Sequence, residues 1–92
     1  MPKVIVQVRT RDNLLKLLAQ GESQAWVIAE EKAQKITHVQ VVNFDGTQMI
    51  EGIFDREASW RMNDGRLVLK FLDGCILNCQ VKFDSQNPVR YI

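Results

Sequence analysis

The residue types that most often carry catalysis are scarce in this chain. Its 92 residues contain one histidine, His38, and two cysteines, Cys75 and Cys79. A serine or cysteine nucleophile requires a base close to it, and His38 stands on the polar side of an alternating run, which favours a surface position. No two carboxylates stand at a spacing that would hold them together for acid–base work. We therefore predict that this protein is not an enzyme.

The cysteines and glycines also point away from metals and cofactors. If Cys75 and Cys79 share one strand, their Cα atoms lie about 13 Å apart, whereas a disulfide requires less than about 7 Å. They have no neighbouring histidine that would complete a zinc site, so we expect two reduced core cysteines and no metal. The glycines are scattered singly, so no phosphate-binding loop and no cofactor are expected. They lie at positions 21, 46, 52, 65 and 74.

The composition is typical of one folded domain that spans residues 1–92. The chain is 46% hydrophobic and 25% charged, with a formal net charge of +1. These values exclude disorder, and the net charge by itself favours neither nucleic acid nor membrane. No apolar run approaches the about 20 residues that span a bilayer, and the N-terminus does not resemble a signal peptide. We expect a cytoplasmic protein with no membrane partner.

The N-terminal half predicts a strand, a helix and one ambiguous segment. Valines at 4, 6 and 8 alternate as in a strand. The helix that follows carries a leucine stripe, with Thr10 or Asp12 as its N-cap and Gly21 as its stop. Residues 25–29 favour a strand, but the sequence leaves open whether 22–35 is strand plus turn or helix.

Asp-Gly pairs at 45–46, 64–65 and 73–74 predict three hairpins. Matching apolar faces across each turn gives two-residue turns at the first two pairs and a three-residue loop, 72–74, at the third. Gly52 has no side chain and marks a bulge or the close crossing of another strand.

These elements predict an α+β fold. It is a mostly antiparallel curled sheet or small partly open barrel, with β-α-β followed by a hairpin meander and one main helix. Whether the sheet closes stays open. The meander resembles small SH3-like and OB-like barrels in architecture only, which implies no function.

The predicted registers place several cations together. They lie on the outward face of the last three strands, with no acid among them. A basic stripe of this kind is what phosphate backbones recognise. The candidate polyanion-binding residues are Arg61, Arg66, Lys70 and Lys82.

A second candidate surface lies on the outer face of the first hairpin. Val42 and Met49 should face each other there, with Phe44 near the turn. They form a patch for a protein partner or for a second copy, unless the protein's own helix or tail covers them. Our leading hypothesis is a non-catalytic interaction module for protein–protein contact or self-association. Nucleic-acid or polyanion binding is the alternative, and small-ligand binding inside the curled sheet is a second one.

Overall fold

Seven strands and two short helices form within residues 3–83 and 88–92, the part of the chain that the computed structural model describes. In chain order they are β1 Ile5–Thr10, α1 Leu14–Gln20, β2 Glu22–Trp26, α2 Glu30–Ala33, β3 His38–Asn43, β4 Gln48–Phe54, β5 Trp60–Arg61, β6 Leu67–Asn78 and β7 Val89–Tyr91. The predicted α+β class is confirmed.

The strands form one mixed sheet that curls into a half-barrel. Their order across the sheet is β2-β6-β4-β3-β1-β7, and β5 lies beside β6. The one parallel pair among the described strands is β1 with β3, and the other pairs are antiparallel. β1 and β3 lie in the middle of the sheet and are almost continuously buried, as parallel strands usually are. The sheet is curled and partly open, as predicted.

Helix α1 closes one side of the curl with its leucines. Leu14 and Leu17 pack into the core that the sheet encloses, together with Val6, Val41 and Ile50. Burial of such side chains is the main source of stability in a domain of this size.

The two ends of α1 differ in how well they follow the prediction. Gly21 ends the helix with a left-handed φ of 70° and donates its amide to the carbonyl of Leu17, which confirms the predicted stop. The predicted N-cap is wrong, because Thr10 still belongs to β1 and the helix begins later. The Asn13 side chain caps it by accepting hydrogen bonds from the amides of Leu15 and Lys16.

The ambiguous segment 22–35 contains both kinds of structure. β2 covers Glu22–Trp26 and the single turn of α2 covers Glu30–Ala33. The predicted strand at 25–29 is therefore placed too late in the chain.

The first predicted hairpin is confirmed in register. Val41 lies opposite Ile50 and Val39 lies opposite Gly52. The face expected to point inward is buried, but the opposite face is buried as well, since Val42 is 0% exposed.

The second hairpin turns at the predicted Asp64-Gly65 pair, but its register is shifted by one residue. Arg61 pairs with Leu67 and Trp60 pairs with Val68, so the loop contains three residues rather than two. Gly65 takes a φ of 87°, which suits the left-handed position of such a loop. Because a shift of one residue moves every side chain to the other face, Trp60 is 48% exposed instead of buried.

The third predicted hairpin is wrong, because β6 runs through Asp73-Gly74 without turning. Glu51 pairs with Cys75 and Ile53 with Leu72, so Asp73 and Gly74 together face Gly52 in a bulge. Asp73 has a φ of 55°, as the first residue of such a bulge often does. A Cβ at position 52 would lie 3.1 Å from the Phe71 side chain. Of the two alternatives predicted for Gly52, the bulge is observed, on β6 directly opposite it.

Candidate functional site

The predicted basic face is not free of acids, because three of its four cations lie beside a carboxylate. The Arg61 guanidinium donates to Glu30 at 2.9 Å and also to the carbonyl oxygens of Ile28 and Gly65. It therefore ties β5 to the segment that precedes α2. This contact follows from the shifted register of the second hairpin.

Two more of the predicted cations lie beside acids. The Lys70 ammonium is 3.4 Å from the Glu22 carboxylate, and the Arg66 guanidinium is 3.7 Å from that of Asp64. Lys82 is exposed and follows the end of β6. The prediction of one acid-free face is therefore wrong, whereas polyanion binding by these four residues stays a prediction.

The predicted partner patch is divided by its burial. Val42 and Met49 lie opposite each other as expected, but they are only 0% and 7% exposed. In an isolated protomer only the chain itself can cover these two side chains. The alternative that the protein's own residues cover the patch therefore applies to both. Phe44 is 43% exposed and remains available for contact.

The segment after β6 crosses the turn of the first hairpin. The Cys79 amide donates to the carbonyl of Thr47 at 2.9 Å, and the Val81 amide donates to that of Gly46 at 2.8 Å. Gly46 allows this approach, because a Cβ there would overlap the carbonyl oxygen of Val81. The crossing brings Phe83 to the end of β1.

Three arginines and two phenylalanines alternate at this end of the sheet. We call them the arginine–phenylalanine ladder, and their order is Arg11, Phe44, Arg9, Phe83, Arg90. The guanidinium carbons of Arg9 and Arg11 lie 3.9 and 4.3 Å from the centre of the Phe44 ring. Those of Arg9 and Arg90 lie 5.2 and 4.7 Å from the centre of the Phe83 ring. These distances are within the range of cation–π attraction.

Among the described residues, the side-chain hydrogen bonds of the ladder are made by Arg9 and Arg90. Arg9 donates from Nε and Nη2 to the carbonyl oxygen of Phe44, and Arg90 donates to the carbonyl of Lys82 and to Gln7. Arg11 makes no hydrogen bond through its side chain to any described residue. Within residues 3–83 and 88–92, no carboxylate lies within 4.0 Å of the three guanidinium groups.

A row of polar side chains crosses four strands beside the ladder. Gln7 donates to Oε1 of Gln40 at 2.8 Å, and Gln40 donates to the Glu51 carboxylate at 2.8 Å. Arg90 donates to Oε1 of Gln7, which completes the row. Gln7 is only 2% exposed, so its amide depends on these partners for its hydrogen bonds.

The sheet has an unpaired edge along the second half of β6. β2 pairs with β6 at residues 67–70, whereas β4 pairs with residues 71–78 from the other side. Among the described residues, no strand pairs with Leu72–Asn78 on the edge away from β4. Leu72 and Leu77 are exposed on this strand, and Ile53, the partner of Leu72, is exposed beside them.

The two cysteines are not the core pair that the sequence predicted. Cys75 is exposed on β6, and Cys79 is half-buried with its thiol directed at the carbonyl oxygen of Gly46; both are free thiols. Burial raises the pKa of the Cys79 thiol.

These environments predict different reaction rates for the two thiols. Because the thiolate is the reacting form, a raised pKa leaves less of it at neutral pH, so Cys79 should react more slowly than Cys75. Timed maleimide labelling of Cys75→Ser and Cys79→Ser, each with one remaining thiol, would measure both rates. Equal rates would contradict the burial of Cys79 against the turn of the first hairpin.

Open depressions mark the described surface, and one with a volume of about 580 Å³ lies between α1 and the first hairpin, lined in part by Leu15, Asn43 and Ile76. His38 contacts the hydroxyl of Thr37. The described residues contain no cluster of three or more metal-ligating acids, histidines or cysteines. Neither of the described helices has the length and apolar character to cross a bilayer.

Sequence reasoning missed the ladder and the β6 edge. The five ladder residues come from three segments that are far apart in the chain, around positions 9–11, 44 and 83–90. The edge was hidden by the hairpin predicted at Asp73-Gly74, which would have paired it. Comparison with protein-family models, with curated proteins and with solved structures found no match for this chain.

Proposed function

We propose that this protein is a non-catalytic interaction module that self-associates through the free edge of β6. The observation that carries the proposal is the unpaired stretch Leu72–Asn78. Exposed strand edges present amides and carbonyls that readily accept another strand. The partner in this proposal is a second copy of the chain.

The composition of the edge favours strand addition. Natural proteins usually protect an exposed edge with lysines, prolines or short strands. Residues 74–81 contain no charged residue and no proline. The bulge at Asp73-Gly74 and the Leu18 side chain of α1, which lies beside Gly74, protect one end of this stretch, so Cys75–Asn78 is the part that another strand would meet.

A second copy suits this edge for two further reasons. Its own β6 carries the same unpaired groups, and an antiparallel pair of identical strands gives a closed two-fold dimer, the commonest symmetry of protein oligomers. Pairing would extend the sheet across both protomers. It would also bring Leu77 of each copy next to apolar surface of the other, which removes exposed apolar area from water.

Sedimentation equilibrium of the wild type and of Leu77→Lys tests this proposal. The wild type should dimerise as its concentration rises, and the lysine variant should remain monomeric because it places a charge at the edge. Val27→Lys, on an exposed residue that follows β2, is the matched control and should dimerise like the wild type. Thermal unfolding should show that all three chains are folded.

A wild type that stays monomeric at every concentration would refute self-association. So would a dimer that Leu77→Lys leaves unchanged, because the contact would then lie elsewhere. The free thiols of Cys75 and Cys79 suit a reducing compartment, and a cytoplasmic location is part of this proposal.

A further inference from the structure

The arginine–phenylalanine ladder combines two chemistries that meet in single-stranded nucleic acids. Guanidinium groups bind phosphates, and flat rings or guanidinium planes stack on bases. We propose that the ladder binds single-stranded nucleic acid at its exposed end, through Phe44 and Arg11. This site is separate from the four-cation face that the sequence predicted.

Arg11 is the residue best placed to meet the ligand. It is exposed, and its guanidinium has no hydrogen-bond or ion-pair partner among the described residues. None of its donors is used by the described part of the chain, so they can bind a phosphate while the guanidinium plane lies over the Phe44 ring. A base can stack on the outer face of the Arg11 guanidinium, or it can displace the guanidinium and stack directly on the Phe44 ring.

Arg9 makes the inner side of the site rigid. Its two hydrogen bonds to the carbonyl oxygen of Phe44 fix its guanidinium against the inner face of the ring, 3.9 Å from the ring centre. A ring that is held in this way loses little conformational entropy when a base stacks on it. Phe44 therefore provides a preformed stacking platform.

The charge around the ladder also favours a phosphate backbone. Arg90 continues the row of cations over the second face of Phe83, and it also donates to the carbonyl oxygen of Lys82 at 3.1 Å. Lys82 was among the predicted polyanion-binding residues, and this contact places its backbone beside the ladder. The neighbouring acids, Asp12 and Asp45, form no ion pair with the three ladder arginines.

Fluorescence anisotropy with a labelled single-stranded oligonucleotide tests the proposal. Binding by the wild type should weaken as salt rises, since each phosphate contact releases condensed counterions. Arg11→Gln should lower the slope of log K against log salt by about 0.7, and Phe44→Leu should weaken binding about tenfold. Lys35→Gln, an exposed residue outside the ladder, removes the same charge and should bind like the wild type.

Heparin separates nucleic-acid recognition from simple charge attraction. It carries anionic groups but no bases, so Phe44→Leu should leave heparin binding unchanged. An equal loss for heparin and oligonucleotide would overturn the proposal, as would equal effects of Arg11→Gln and Lys35→Gln. Failure of the wild type to bind at low salt would also overturn it.

A second variant keeps the test valid if Phe44→Leu does not fold. Arg11→Lys preserves the charge of an exposed residue but removes the planar group that lies over the ring. It should weaken oligonucleotide binding several-fold while retaining heparin binding. Unchanged oligonucleotide binding by this variant would contradict a stacking role for Arg11.

Discussion

Replacing Gly46 with alanine is expected to destabilise the protein by about 3 kcal/mol. Gly46 has a φ of 74°, a conformation that alanine adopts only at a cost, and the new Cβ would overlap the carbonyl oxygen of Val81. To remove the overlap, the crossing segment must move away, which breaks the hydrogen bond from the Val81 amide to the carbonyl of Gly46. The free energy of unfolding, measured by urea denaturation, would report the change.

Gly65→Ala provides the matched control for this substitution. Gly65 has a similar φ of 87°, but nothing lies within 4 Å of its added Cβ. The substitution should therefore lower the free energy of unfolding only by the cost of a left-handed alanine, about 1 kcal/mol. Equal losses for the two variants would show that the segment after β6 does not cross the first hairpin closely. The Gly46 variant should also expose Cys79 and raise its labelling rate.

Replacing Gln7 with leucine should destabilise the fold by about 2 kcal/mol, although the two side chains are similar in size. The substitution leaves Oε1 of Gln40 and Nε of Arg90 without the partners they have in the polar row. Both of these groups are then poorly solvated, because the site of Gln7 is almost inaccessible to water. Thermal or urea unfolding measures the loss.

Gln48→Leu is the control, because Gln48 is exposed on β4 and its side chain makes one long hydrogen bond of 3.4 Å to Asn78. Its effect should stay within about 0.5 kcal/mol. The double variant Gln7→Leu with Gln40→Leu should lose less than the sum of the two single variants, because each removes the other's unpaired group. Additive losses would show that the two amides do not interact in solution.

The first hairpin and the helix stop could be predicted because their signals are local. Asp45-Gly46 stands between two runs whose alternation fits one register only, and Gly21 follows the leucine stripe of α1 directly. Gly52 also carried a correct signal, since a missing side chain within a strand has few structural uses. These features depend on residues close together in the chain, where backbone preference and side-chain period act directly.

The other two Asp-Gly pairs show why such signals have limits. An Asp-Gly pair supplies left-handed backbone, and a turn and a bulge both use it. At Asp64-Gly65 the loop length was wrong by one residue, because a register with Arg61 beside Leu67 looks unfavourable in sequence. In the structure this register is favourable, because the Arg61 guanidinium reaches the Ile28 carbonyl and the Glu30 carboxylate.

The candidate sites depend on contacts that only the folded chain creates. The ladder joins residues of β1, the first turn and the C-terminal segment, and the β6 edge exists because Asp73-Gly74 bulges against Gly52 instead of turning. The sequence alone determined an α+β chain with a curled sheet and most of its local breaks, because hydrophobic period and backbone preference are properties of neighbouring residues. The tertiary structure decided which cations lie beside acids, which lie beside aromatic rings and which strand edge is left unpaired, since pairing between distant segments sets all three.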